Sequence, residues 1–251
     1  MTTTDPPTDR PVPEALPDPS ALLRGTNWAS LETATGPARK LPQALIRLLE
    51  PDLTMPEARK ALDALEPVRH QNTIYDATPA TALFVAALLA RRTTQHGMEA
   101  NGVCMLLLAW LAGVATDSDD ACVAAGNRYF DGNYLDGYPA MVAMRALRPV
   151  LYRAVSPFLD NADAAVRDTA LAAALAFAEH PALAPHRDNL IHHARQLLLT
   201  NDTQWRRQQA LDALRAWGHD TTGLTRPGDD DRSPYTSDSL WPDGDFATPP
   251  F

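Results

Sequence analysis

Residues 150–177 read VLYRAVSPFLDNADAAVRDTALAAALAF, and residues 190–217 read LIHHARQLLLTNDTQWRRQQALDALRAW. Each stretch opens with apolar residues at helical spacing, turns through Asp and Asn, and resumes with Arg before an Ala-Leu step. Asp and Asn in such a turn close one helix and open the next, because their side chains bond nearby backbone N–H groups. So short a connection forces the two helices antiparallel, which makes each stretch a helical hairpin. Ala170-Leu171 and Ala210-Leu211 lie 40 positions apart, and two-helix repeats have periods of about 40 to 47 residues. An earlier copy occupies residues 41–65, LPQALIRLLEPDLTMPEARKALDAL, with Asp52 in the turn, Arg59 in the second helix and Ala61-Leu62 after it.

The rest of the chain continues the helical period. Thr54 and Glu57 fit a capping box, with Pro56 in the first turn and Pro67 ending the helix near Glu66. Thr78-Pro79 opens a second helix that ends near Arg92, with cations at its C-terminus. Further helices fit residues 20–34, 41–50, 99–115, 118–130, 139–147, 149–159, 163–179, 185–199 and 203–217. No segment has the β-branched alternation of a strand. The fold class is all-α, with about five helix pairs.

Three copies of a leucine-rich helix, an Asp/Asn turn, an Arg and an Ala-Leu step resemble HEAT repeats. The resemblance implies an α-α superhelix, a HEAT/armadillo-like solenoid, with a ladder between repeats at Asp52 and Arg59, Asp163 and Arg167, and Asp202 and Arg206 or Arg207. Residues 28–89, with HQNTIYDAT at 70–78, also resemble a pattern of small actinobacterial HEAT-type proteins. Some of those are immunity proteins that block a cognate toxin. What the resemblance implies is therefore a protein partner and, in its most specific form, a toxin.

Charge and proline are unevenly spread. Of the net charge of −9, residues 1–20 carry −3 and residues 226–251 carry −4, and the remainder holds 21 acids against 19 bases. Half of the 22 prolines fall in the same two end segments. Such composition buries too little apolar area to offset chain entropy. The expected organisation is a disordered segment over 1–19, a HEAT-like helical domain over 20–222 and a disordered acidic tail over 223–251. The nearly neutral middle lacks a field that would track phosphates, which argues against nucleic acid as a partner. A DNA-glycosylase-like HEAT enzyme is the remote alternative; Trp205 beside Arg206-Arg207 is the patch it would use. Arginine outnumbers lysine heavily, a codon signature of a GC-rich bacterial genome, and the two cysteines, Cys104 and Cys122, sit in apolar runs that suit a reducing compartment. No export signal is visible, and apolar runs such as 83–90 are too short for a bilayer, so the expected location is cytoplasmic.

The constellations that could carry chemistry read as structural. His192 and His193 are adjacent, so they point about 100° apart on a helix and cannot share a metal face. The stretch 131–137, DGNYLDG, looks like a calcium loop but places Leu135 where an oxygen ligand belongs. Asp117-Ser118-Asp119-Asp120 sits at a helix start, where acids cap and complement the dipole. The expectation is neither metal, cofactor nor catalysis. Two segments remain as partner-binding candidates. Residues 126–138, GNRYFDGNYLDGY, carry Tyr129, Phe130, Tyr134 and Tyr138, and aromatic side chains make effective interface anchors; the structural alternative is that some tuck under neighbouring helices. The connector at 70–76 carries Tyr75, and its Asn72, Thr73 and Asp76 are equally suited to capping. The function expected is a protein–protein interaction module, monomeric when free, acting as an immunity or antitoxin protein; the alternative is a scaffold or regulatory adaptor. Duplex DNA binding should be weak at physiological salt. An anisotropy titration checks this, and a sub-micromolar, steeply salt-dependent affinity would revive the glycosylase reading.

Overall fold

Over residues 16–93 and 97–229, which the computed structural model describes, the chain is helical apart from one two-stranded hairpin. Residues 1–15 and 230–251, most of the two end segments expected to be disordered, lie outside the described residues. The chain divides into two compact units after Arg187, inside the stretch expected to be one helical domain.

In the first unit α1 is Pro19–Gly25, capped by Asp18, whose carboxylate accepts from Ala21 N at 2.8 Å and pairs with Arg91. The helix expected over 20–34 stops there. A 3-10 turn at Trp28–Ser30 leads into a hairpin of β1 (Glu32–Thr33) and β2 (Gly36–Pro37), with Thr33 opposite Gly36. This corrects the expectation of no strand. Gly36 has φ +98°, in the left-handed region that favours glycine, and Thr33 Oγ1 donates to Gly36 O at 2.7 Å across the turn.

Then follow α2 (Leu41–Leu48), α3 (Met55–Asp63), α4 (Ala77–Ala90), α5 (Met98–Thr116), α6 (Asp120–Tyr129), α7 (Pro139–Ala146), α8 (Arg148–Val155) and α9 (Ala164–Phe177). The other expected helices are therefore present, with ends moved by a few residues. The Thr54–Glu57 capping box at α3 forms as read from the sequence.

Apolar residues all round a helix require neighbours on every side. In α5 the buried positions include Leu107, Leu108, Trp110, Leu111 and Val114, which form a broad face, and α5 packs on α3, α4 and α9. The run from Thr169 to Phe177 in α9 is buried throughout. Contacts form two rows: α4 packs on α1 and α8, and α5 packs on α3 and α9. Hydroxyls caught in these rows bond back into their own helices, Thr81 to Ala77 O at 2.8 Å and Thr169 to Ala165 O at 2.7 Å. Met98–Tyr129 is long and apolar enough to cross a membrane by length and composition, and 56% of its most apolar window is buried within the fold.

The second unit holds α10 (Arg187–Thr200), all but its first residue, and α11 (Gln204–Ala216). Arg207 is 2% exposed and grips Asp229 with two bonds, at 2.9 and 2.7 Å, while also donating to Leu224 O at 2.9 Å. Residues 223–229, expected to belong to the tail, are thereby tied to α11.

At the residues expected to form a ladder between repeats, the bonds that form lead elsewhere. Asp163 caps α9, and Arg167 donates to Asn161 O and Ala162 O of its own turn. Arg59 is exposed and Asp202 pairs with Arg226 at 2.5 Å, so Arg207 is left to Asp229.

Close approach explains Gly113. A methyl group there would lie 2.5 Å from Arg69 Nη1, where the guanidinium crosses α5 to reach Asp117 at 2.7 Å. Gly113→Ala should displace Arg69, leave the Asp117 carboxylate buried without it, and cost about 1–3 kcal/mol in urea unfolding. Gly25→Ala, with nothing within 4 Å of the added methyl, should stay within about 0.5 kcal/mol of the parent.

Candidate functional site

The insertion between α5 and α8 is the part of the first unit that carries the aromatic residues singled out by sequence. Helix α6 starts at Asp119, whose carboxylate accepts from Cys122 N at 2.6 Å, and none of the helix's residues is fully buried. It ends through Asp131 and Gly132, at φ +49° and +85°, with Gly132 N donating to Asn127 O at 2.9 Å. The Asn127 side chain then accepts from Tyr134 N at 3.1 Å, which folds the turn back over α6.

The rings meet in series. Phe130 stacks on Tyr134 with centroids 5.5 Å apart, and Tyr134 meets Tyr138 edge-on at 5.3 Å. Tyr134 lies flat on Gly126, where an added methyl would come within 2.4 Å of the ring. Tyr138 closes the series: its hydroxyl donates to Ile74 O at 2.6 Å and accepts from Ile74 N at 3.0 Å. Burial raises the Tyr134 hydroxyl to about 12 and the Tyr138 hydroxyl further still.

Tyr75 follows Ile74 and is half-buried, so four of the five expected residues, Phe130, Tyr134, Tyr138 and Tyr75, come together. Their roles divide. Tyr134 and Tyr138 are half-buried and hold the turn, whereas Tyr129 and Phe130 are 61% and 45% exposed. At the connector, capping falls to Thr78, whose hydroxyl accepts from Tyr75 N at 2.8 Å.

At the start of α6 lies a charge cluster that sequence reading missed. Residues 117–120 receive three arginines from separate segments. Arg69 pairs with Asp117 at 2.7 Å, Arg145 of α7 donates to Ser118 O at 2.8 Å and to Asp120 at 2.5 Å, and Arg148 of α8 bonds Ser118 O. Arg148 is 1% exposed and also reaches Glu179 at 3.2 Å; Glu179 accepts from Asp120 N at 2.8 Å. The only sequence signal was the acidic run, and nothing in it names the arginines.

Burial, with Asp119 and Asp120 nearby, pushes the Glu179 carboxyl up to about 7 against the pull of Arg148. Burial likewise pushes the Cys104 and Cys122 thiols up to about 11, which leaves them poor nucleophiles at neutral pH. His180 caps the following 3-10 turn and His186 packs against Tyr152 at 4.9 Å. Among the described residues no group of three or more His, Cys, Asp or Glu is placed to hold a metal ion. Arg206 lies over the exposed Trp205 ring at 5.2 Å, and its neighbour Arg207 is committed to Asp229.

Comparison with protein-family models, with curated proteins and with solved structures gave no match.

Because the folded Glu179 titrates near 7 against an ordinary value of 4.5, its neutral form contributes stability that is complete below the lower value and lost as pH rises through the upper one. Unfolding free energy should therefore fall across that window in the parent, and Glu179→Gln should remove this component of the fall. Parallel curves for the two proteins would place Glu179 at its ordinary value.

Proposed function

We propose that this chain is a protein-recognition module of the α-α superhelix, HEAT/armadillo-like kind, which holds its partner at the turn after α6. The two rows of helices, α1–α4–α8 and α3–α5–α9, support the solenoid reading, because stacked hairpins place equivalent helices beside one another. In that arrangement α6 and α7 form an insertion between the hairpin α4–α5 and the hairpin α8–α9.

The observation that carries recognition is the exposure of Tyr129 and Phe130 above a turn that is already fixed. Tyr134 and Tyr138 hold the turn on one side through the bond to Ile74, and the Arg145 and Arg148 pairs hold the base of α6 on the other. Anchors presented on a rigid support lose little entropy on binding. Asp131 and Asp136, both exposed, border the rings. This surface suits a partner with an apolar pocket rimmed by basic side chains, and the net charge of −9 favours such encounters at long range. In its most specific form the module is an immunity protein that occludes a toxin by direct contact.

The test is capture of the partner by the full chain in the native host, followed by titration of variants against the captured protein. Tyr129→Ala and Phe130→Ala should each weaken binding by about 2 kcal/mol or more while the melting temperature hardly moves. Tyr138→Ala should instead melt early, since it removes both bonds to Ile74 and the edge contact to Tyr134. Normal binding by the first two variants would move the interface elsewhere. A captured partner without toxic activity would favour the adaptor form.

A further inference from the structure

A second site, sharing no residue with the aromatic turn, lies between the hairpin, α2 and α3. It is a pocket of about 590 Å³, within the roughly 300–1,000 Å³ typical of small-molecule sites. Lys40 and Lys60 are the only lysines of the chain, and both line this pocket. Arg39 and Arg47 line it with them, and no carboxylate does. Among the described residues, none of these four cations is held in an ion pair, and all four are exposed. In a chain of net charge −9 this concentration is not a by-product of a basic surface.

The walls are fixed by backbone bonds. The β1–β2 turn is pinned by Ala34 N donating to Pro67 O at 2.9 Å, and the exit from β2 by Ala38 N donating to Leu31 O at 2.8 Å. Helix α2 starts at the pocket at Leu41, where Leu41 N is already bonded to Ala38 O at 3.1 Å, Gln43 N to Lys40 O at 3.2 Å, and Pro42 carries no N–H, so the four side chains supply the positive charge. Like charges gathered this closely repel one another, and an anion bound among them relieves that repulsion. Small apolar residues, Ala44, Ala61 and Ala64, line the pocket as well.

We propose that this pocket binds a small molecule carrying several phosphate groups, of the nucleoside polyphosphate class. Lysine and arginine together suit a phosphate chain, lysine as a point charge and arginine as a two-pronged donor. The alanine-lined portion suits the base. Duplex DNA would need a basic surface extending far beyond four residues, and the nearly neutral middle of the chain does not provide one. The inference stands independently of the protein-recognition reading, because it uses different residues.

The test is calorimetric titration of the full chain with ATP, GTP and inorganic pyrophosphate at low ionic strength, alongside hexaglutamate as an acidic peptide. One-to-one saturable binding of ATP or GTP is expected, tighter than pyrophosphate. Lys40→Ala and Lys60→Ala should each weaken it by about tenfold or more. Arg59→Ala removes the same charge from α3 outside the pocket lining and should leave affinity unchanged. Saturating nucleotide should also raise the melting temperature of the parent and not of the double lysine variant. Absence of saturable nucleotide binding, equal weakening by Arg59→Ala, or tighter binding of hexaglutamate than of either nucleotide would overturn the proposal.

Discussion

The buried guanidinium of Arg148 is the point on which the first unit turns. It stands at the start of α8, yet it bonds the chain between α5 and α6 at Ser118 and reaches Glu179 beyond α9. Burying a charge in this way is costly unless it is matched by carboxylates and carbonyls. Here Asp120, Glu179 and the Ser118 carbonyl provide the match, with Arg145 sharing two of those acceptors. Removing any one of them would leave the others poorly solvated. The cluster therefore fixes where α6 and α7 depart from the helix rows and where they return.

Everything else in that unit is compatible with close packing of small side chains. Alanine dominates α9 and much of α4, so the rows approach closely without large side chains between them. Glycine takes this further at Gly102, where an added methyl would meet Met55 Sδ at 2.9 Å, and at Gly113 under Arg69. Polar groups trapped between the rows are few, and their hydroxyls are absorbed by carbonyls, those of Thr81 and Thr169 within their own helices and that of Thr78 at Val68 O. The apolar character of α5 is accounted for by its three neighbours.

Local chemistry was legible in the sequence and remote pairing was not. The capping box at Thr54, the Asp163 turn and the helical character of the chain follow from residues within a few positions of one another, where spacing dictates contact. The aromatic turn was also recognisable, because four rings among glycines exceed what a connector needs. Its division into supports and exposed rings was hidden, since it depends on the Tyr138 hydroxyl meeting a backbone segment 64 residues earlier. The hairpin at 32–37 was lost for another reason: two-residue strands give no periodic signal, and helical spacing on either side ran across them. The arginine cluster and the basic pocket escaped because neither Arg69 with Asp117, 48 residues apart, nor Lys40 with Lys60 share a local pattern. Helix packing brings them together. The residues of the expected Asp–Arg ladder bond elsewhere on the same ground, since a repeat motif says which residues are available and not which partner each meets.

The clasp between Tyr138 and Ile74 has a kinetic side. A contact spanning 64 residues closes a large loop, and the chain entropy lost in closing it is recovered only when the segments on both sides are already docked. Helices α4 and α7 must therefore have met before the hydroxyl finds both backbone partners. Until then the rings of residues 130–138 lack their anchor, and the exposed pair above them has no defined orientation. The same clasp makes order in the turn a late event, so partly folded chains would expose aromatics without yet presenting the arranged surface.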